Sequence, residues 1–184
     1  MLISHDRDKL IEIVKFFAQQ TKRLGKIKLF KLLYFLDFTH FRETGRSVTG
    51  MDYFAWKMGP VPVELFQEIE APGDEWSGQV SFEFISVQKG TMLKVDALRD
   101  FDSTHFSKRE LRIMQALADQ FKNSIADEMV EATHLENLPW HQVFEVEGRK
   151  QALIPYSMSL LKQDQELMAD VIHDRAEMLS AIRV

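Results

Sequence analysis

Asp37 and His40 stand three residues apart inside an apolar stretch, and no other pair in the chain is better placed to do chemistry. On a helix that spacing puts both on one face, where a carboxylate can orient an imidazole as catalytic and metal-binding sites require. His134 or His141 could join them from the second half, so a metal-dependent or hydrolytic module on Asp37, His40 and His134 is one reading. The other is architectural, because buried polar groups mostly serve to satisfy backbone donors. Gly59, which tolerates positive φ, precedes Pro60-Val61-Pro62, whose prolines fix φ, and a turn of that kind cannot pair all its amides within regular structure. A helix beginning at Pro62 would leave its first N–H groups free as well. The architectural reading predicts that Asp37, His40 or both hydrogen-bond to residues 53–65, Tyr53 and Trp56 included. Among aromatic residues, Trp56 and Trp140 read as core, each with one partner for its indole N–H. His134 reads as a satisfied core histidine.

Other enzyme signatures are missing from the sequence. Its glycines never form a phosphate-cradling loop, and neither Gly-x-Ser-x-Gly nor His-Glu-x-x-His occurs. With no cysteine, thiolate zinc sites and cysteine nucleophiles are excluded, and a reducing cytoplasm is the expected setting.

The elements that must position these residues are mostly helical. Leu10, Ile11, Val14, Phe17 and Ala18 recur at three and four over 6–20, and a second helix is predicted from Lys26 to Thr44, ended by Gly45. Leu29, Phe30, Leu33, Tyr34, Leu36 and Phe41 share one arc of it, with Asp37 in the middle and Lys28, Lys31, Thr39 and Arg42 opposite. Phe35 falls among those polar residues, the pattern of an exposed interface anchor on a basic rim of Lys28, Lys31 and Arg42, unless another element of the chain covers it. A short strand is expected over 53–58, then a helix from Pro62. Val80 to Phe84 and Met92 to Val95 read as a hairpin turning at Lys89-Gly90. Ser107 and Glu110 form a capping box with Phe106 and Leu111 as a staple, starting a helix over 108–122. Another runs from Ser124-Asp127 to about 135, where Leu138-Pro139-Trp140 breaks it. Leu160-Leu161, Val171-Ile172 and Met178-Leu179 mark an amphipathic helix over 159–182. The fold class is therefore α+β and mainly α: a helical bundle with a small antiparallel sheet or hairpin packed on one side.

With 184 residues and no low-complexity linker, the chain reads as one domain, residues 1–184, large enough for one sizeable core. Its fourteen phenylalanines suit either a large core or an interface. The net charge of -5 argues against direct nucleic-acid binding, which needs a surplus of Lys and Arg. Charge is nevertheless segregated: Lys22, Arg23, Lys26, Lys28 and Lys31 are clustered, whereas 124–148 is acidic, including Glu136, without Lys or Arg. Such blocks usually face water, or else dock on one another or on a partner. His5 to Lys9 are too polar for a signal peptide, and the densest apolar run, Leu32 to Leu36, is far too short to span a bilayer.

Lys28-Leu29-Phe30-Lys31-Leu32-Leu33-Tyr34-Phe35, Asp37, His40, Thr44-Gly45-Arg46, Thr49-Gly50, Tyr53 and Gly59-Pro60-Val61-Pro62 occur in an order that resembles the Panacea domain, the SocA-like antitoxin domain. His134 and Pro139-Trp140 are similar to its later His and Trp positions, so the resemblance covers about 24–145. Ala55-Trp56-Lys57 resembles one branch of that family, and Gly59 to Pro62 with Asp37 and His40 another. The resemblance implies a mainly helical domain that acts as a bacterial or phage-associated antitoxin, neutralising a cognate protein toxin by direct contact, with action as a proteolytic adaptor to a cytoplasmic protease system as one route. It implies no catalytic residue, no metal and no cofactor, and is compatible with a homo-oligomer. A phage or host regulatory protein without a toxin is a further alternative. On this reading Asp37, His40, Tyr53, Trp56, Gly59, Pro60, Val61, Pro62, His134 and Trp140 are structural, and Phe35 with its basic rim is the expected partner surface.

Overall fold

The computed structural model describes residues 4–87, 90–135 and 138–182. Lys89 of the expected hairpin turn and Glu136 of the acidic run lie outside the described residues. Helix α1 spans Ser4–Gln20 and helix α2 Lys26–Thr44. Gly45 closes α2 in the left-handed conformation at φ 70°, its N–H donating 2.7 Å to the Phe41 carbonyl. That geometry favours glycine because it carries no Cβ.

Helix α2 runs through the middle of the molecule. Leu29, Leu32, Leu33 and Leu36 are wholly buried, and Lys28, Lys31, Asp37 and His40 are buried too, on its expected polar and apolar sides alike. A helix buried all round has neighbours on every side. Those neighbours include α1, α4 (Lys108–Gln120) and α5 (Ala126–His134). Phe16, Phe17, Phe30, Phe38 and Phe121 lie in the core they enclose, so much of the phenylalanine surplus is internal.

The segment expected as one strand and a turn is a tight hairpin. Strand β1 (Phe54–Trp56) pairs antiparallel with β2 (Gly59–Val61), Trp56 facing Gly59 across the two-residue loop Lys57-Met58. Pro60 is tolerated in β2 because that strand forms the sheet edge, where a missing N–H breaks no ladder. The opposite edge of β1 takes up residues 151–154: Ala55 N donates 2.8 Å to Ala152 O, and Ile154 N donates 2.8 Å to Tyr53 O. Helix α3 follows at Val63–Glu68.

A longer hairpin, β3 (Val80–Val87) with β4 (Gly90–Ala97), lies against α1, and Val95 N donates 2.9 Å to Leu24 O in the loop between α1 and α2. Helix α4 begins with the expected capping box, Glu110 N donating 3.2 Å to Ser107 Oγ and Ser107 N donating 2.6 Å to Glu110 Oε2. Helix α5 starts differently from expectation. Ile125 is its N-cap, its N–H donates 3.1 Å to Glu128, and the Ser124 carbonyl instead accepts the Lys28 ammonium. Pro139 opens a new turn, α6 (Pro139–His141), which continues as a π-helical turn over Gln142–Val146. The last helix, α7, spans Lys162–Ile182 after a 3-10 turn at Tyr156–Ser159. None of its described side chains is fully buried; Val171 and Ile172 rest against Gly45, and Arg175 pairs with Asp6 at 3.7 Å. Mainly α with a small antiparallel β part is thus the architecture. Among the described residues no helix is long and apolar enough to cross a membrane.

Candidate functional site

Asp37 is completely buried and accepts four hydrogen bonds. Its Oδ1 takes the backbone amides of Val48 and Thr49, each at 2.8 Å, and its Oδ2 takes the Thr49 hydroxyl and, at 2.7 Å, the Tyr53 hydroxyl. Burial raises its carboxyl above the usual range, opposed by the bonds from Thr49, Tyr53 and Val48. Around it stand Tyr34, Phe38, Tyr53 and Tyr156, whose rings meet at centroid distances of 4.2–6.2 Å. The Tyr156 hydroxyl donates 2.6 Å to Met51 O, which ties the far end of the chain to the same centre.

Of the bonds expected between Asp37 or His40 and residues 53–65, the Tyr53 hydroxyl supplies one. The remaining donors come from the loop at 48–49 instead. That loop directly follows α2 and bends at Val48 and Thr49, so its amides turn back to a side chain of the same helix. His40 serves the same loop: its Nδ1 lies 2.7 Å from the Arg46 carbonyl, an arrangement that requires Nδ1–H as donor. Thus the acid and the imidazole are not paired with each other but fasten successive parts of one connection.

The turn at Gly59 is held by another group. Lys31 is buried, and its ammonium donates 2.9 Å to the Pro60 carbonyl. Burial pushes its pKa down to about 7. Gly59 sits at φ 96°, and a Cβ there would lie 2.7 Å from Thr133 Oγ1 on α5 and 2.8 Å from Lys31 Nζ on α2. Glycine is thus required twice, by conformation and by space. Lys28 is used in the same manner, donating to the carbonyls of Lys22, Lys122 and Ser124 at 2.9–3.2 Å. Long apolar stems let both lysines cross the core and end on carbonyls that regular structure leaves free.

Trp140 is buried and its indole N–H donates 2.9 Å to the Trp56 carbonyl, closing α6 onto β1. His134 stacks on it at 3.7 Å with the planes 3° apart, and Phe144 stacks on its other side at 4.8 Å. The buried Nε2 of His134 has no hydrogen-bond partner among the described residues, and burial with the Lys31 charge lowers its pKa. His134 is therefore a stacked aromatic here, not the satisfied histidine expected. Among the described residues no group of three or more His, Asp and Glu side chains is gathered as a metal cage would be.

The expected basic rim needs correction. Lys28 and Lys31 are internal, and Phe35 is half-buried, stacked on Phe121 at 5.4 Å with the rings 7° apart. Only Arg42 of that rim is exposed. Helical spacing set these residues apart from the apolar arc correctly, but could not tell solvent from the carbonyl ends that α4 and β2 present. The sequence pattern does not mark Thr49, Thr133 or Tyr156 as members of the centre. Thr49-Gly50 stands in the ordered motif, whereas nothing local to Tyr156 points 119 residues back along the chain to Asp37.

A family model described as the antitoxin SocA-like, Panacea domain, matches residues 29–141. This span begins inside α2 and ends at α6, and so contains Asp37, Gly59, His134 and Trp140. Neither a curated protein nor a solved structure matches the chain.

Proposed function

The chain belongs to the SocA-like antitoxin family defined by the Panacea domain, and from that premise we propose that it is the antitoxin of a toxin-antitoxin pair, neutralising a cognate protein toxin by direct binding. The family match, from within α2 to the end of α6, carries this reading. The geometry agrees with it: Asp37 spends four acceptor positions on its own chain, His40 spends its Nδ1 on Arg46, and His134 is stacked against Trp140. Groups so engaged make a stiff frame, and a stiff frame loses less ordering entropy when its surface meets a partner. The function needs no chemical step and no cofactor in this reading.

Co-expression with the product of the adjacent reading frame tests it. That product should arrest growth alone and be harmless together with this protein, and the two should co-purify. A harmless neighbour would overturn the proposal and favour a regulatory protein without a toxin. Repeating the assay in cells lacking cytoplasmic proteases separates sequestration from adaptor-style delivery, because only delivery then fails.

A further inference from the structure

One opening in the surface lies away from the Asp37 centre. A cavity of about 510 Å³ sits between the tip half of the β3–β4 hairpin and the starts of α2 and α5. Phe84, Met92 and Ile125 line it and remain 47%, 41% and 46% exposed, while Ile27 and Leu93 form its floor. Single exposed apolar residues are ordinary, but three from separate elements converging on one concavity mark an interaction site. A volume of this order accommodates one or two large side chains.

Its rim has a polarity. Among the described residues the exposed Arg23 side chain has no ion-pair or hydrogen-bond partner, and neither has that of the exposed Lys22 beside it. Lys26 lies 5.7 Å above the Phe84 ring while reaching Glu70 at 2.6 Å. Asp127, at the start of α5, lines the cavity as well. A ligand carboxylate is therefore attracted by Arg23 and repelled by Asp127. A basic ligand would meet the cations first. The chain as a whole carries -5, but across a contact the local field decides, since charges beyond about 8 Å are screened at physiological salt.

We infer that this groove docks an acidic linear segment of a protein partner, inserting a large apolar side chain between Phe84, Met92 and Ile125 and placing an adjacent Asp or Glu against Arg23. On the antitoxin reading, on which this identification of the partner rests, the segment belongs to the toxin. The binding chemistry itself can be tested without the toxin. A random dodecapeptide library displayed on phage is panned on the full chain, with counter-selection on the Arg23→Glu and Ile125→Asp variants. Both positions are exposed, and unchanged circular dichroism and thermal melting certify the variants.

Enriched peptides should carry Phe, Leu, Met or Trp next to Asp or Glu. Fluorescently labelled copies should bind the wild type at least tenfold more tightly than either variant, should lose binding when their acids become Lys, and should weaken with added salt. Their amide shift changes should centre on Ile27, Phe84 and Ile125. The inference is overturned by a lack of enrichment over the variants, by basic consensus peptides, or by shifts centred on Phe35 and Arg42. Self-association of the chain that Arg23→Glu abolishes would also overturn it, by making a second copy the occupant. A failure here leaves the co-expression result untouched, and a harmless neighbour in that assay leaves the peptide result standing.

Discussion

Replacing Asp37 by Ala should remove a large part of the stability of this protein. The substitution strands the amides of Val48 and Thr49 and the hydroxyl of Tyr53, all buried, and the Thr49 hydroxyl alone is free to rotate toward another acceptor. A buried donor left without a partner costs about 1–3 kcal/mol. Three of them therefore suggest a loss of at least about 3 kcal/mol, even after relief of the buried carboxylate is allowed for. That is a substantial fraction of the roughly 5–15 kcal/mol typical of a domain. Asp37→Asn keeps an acceptor for the two amides and turns an NH2 group toward two hydroxyls, which can reverse and accept. It should cost only about 1–2 kcal/mol. Urea unfolding followed by tryptophan fluorescence and far-ultraviolet circular dichroism measures both. An Asp37→Ala protein within about 1 kcal/mol of wild type would refute the reasoning, because the donors must then find other partners. A folded Asp37→Asn protein that binds its partner normally yet has lost activity would be equally damaging, since it would give the carboxylate a chemical task.

Two further outcomes follow from the Gly59 contact. Gly59→Ala should destabilise by about 2–5 kcal/mol, combining the left-handed backbone penalty of about 1–2 kcal/mol with overpacking against Lys31 and Thr133 of about 1–3 kcal/mol; a melting temperature equal to wild type would contradict the close approach. Lys31 sheds its proton near pH 7 when folded but near 10.4 when unfolded, so between those values the unfolded chain binds more protons and stability rises with pH. Denaturation from pH 6 to 10 should show that rise in wild type and its absence in Lys31→Met, and parallel profiles would show that the ammonium is solvated.

Much of the frame is legible in the sequence because its determinants are local. The bounds of α2 follow from glycine on either side, the β3–β4 hairpin from alternation, and the start of α4 from Ser107 and Glu110. Asp37 stands out because an acid inside an apolar arc must find donors. Which donors it finds is not local information: they depend on a loop that bends at Val48 and Thr49 and on Tyr53 across a connection. The two buried lysines were misjudged for the same reason. Side-chain type announces that Lys28 and Lys31 need oxygen atoms nearby, yet water and an unpaired carbonyl satisfy that need alike, and only the arrangement of α4, α5 and β2 distinguishes them. The pairing of residues 151–154 with β1 carries no signal of its own, since four residues are too few for a period to show.

The contact at Gly59 has a mechanical consequence. Here a strand, a lysine from α2 and a threonine from α5 meet with no room for one methyl group between them. A joint with no slack cannot absorb a displacement, so any push on the small hairpin is handed on to both helices at once. Pressure from a bound partner would then be shared by segments separated by more than a hundred residues of chain, while α7 meets this frame at Gly45, the far end of α2.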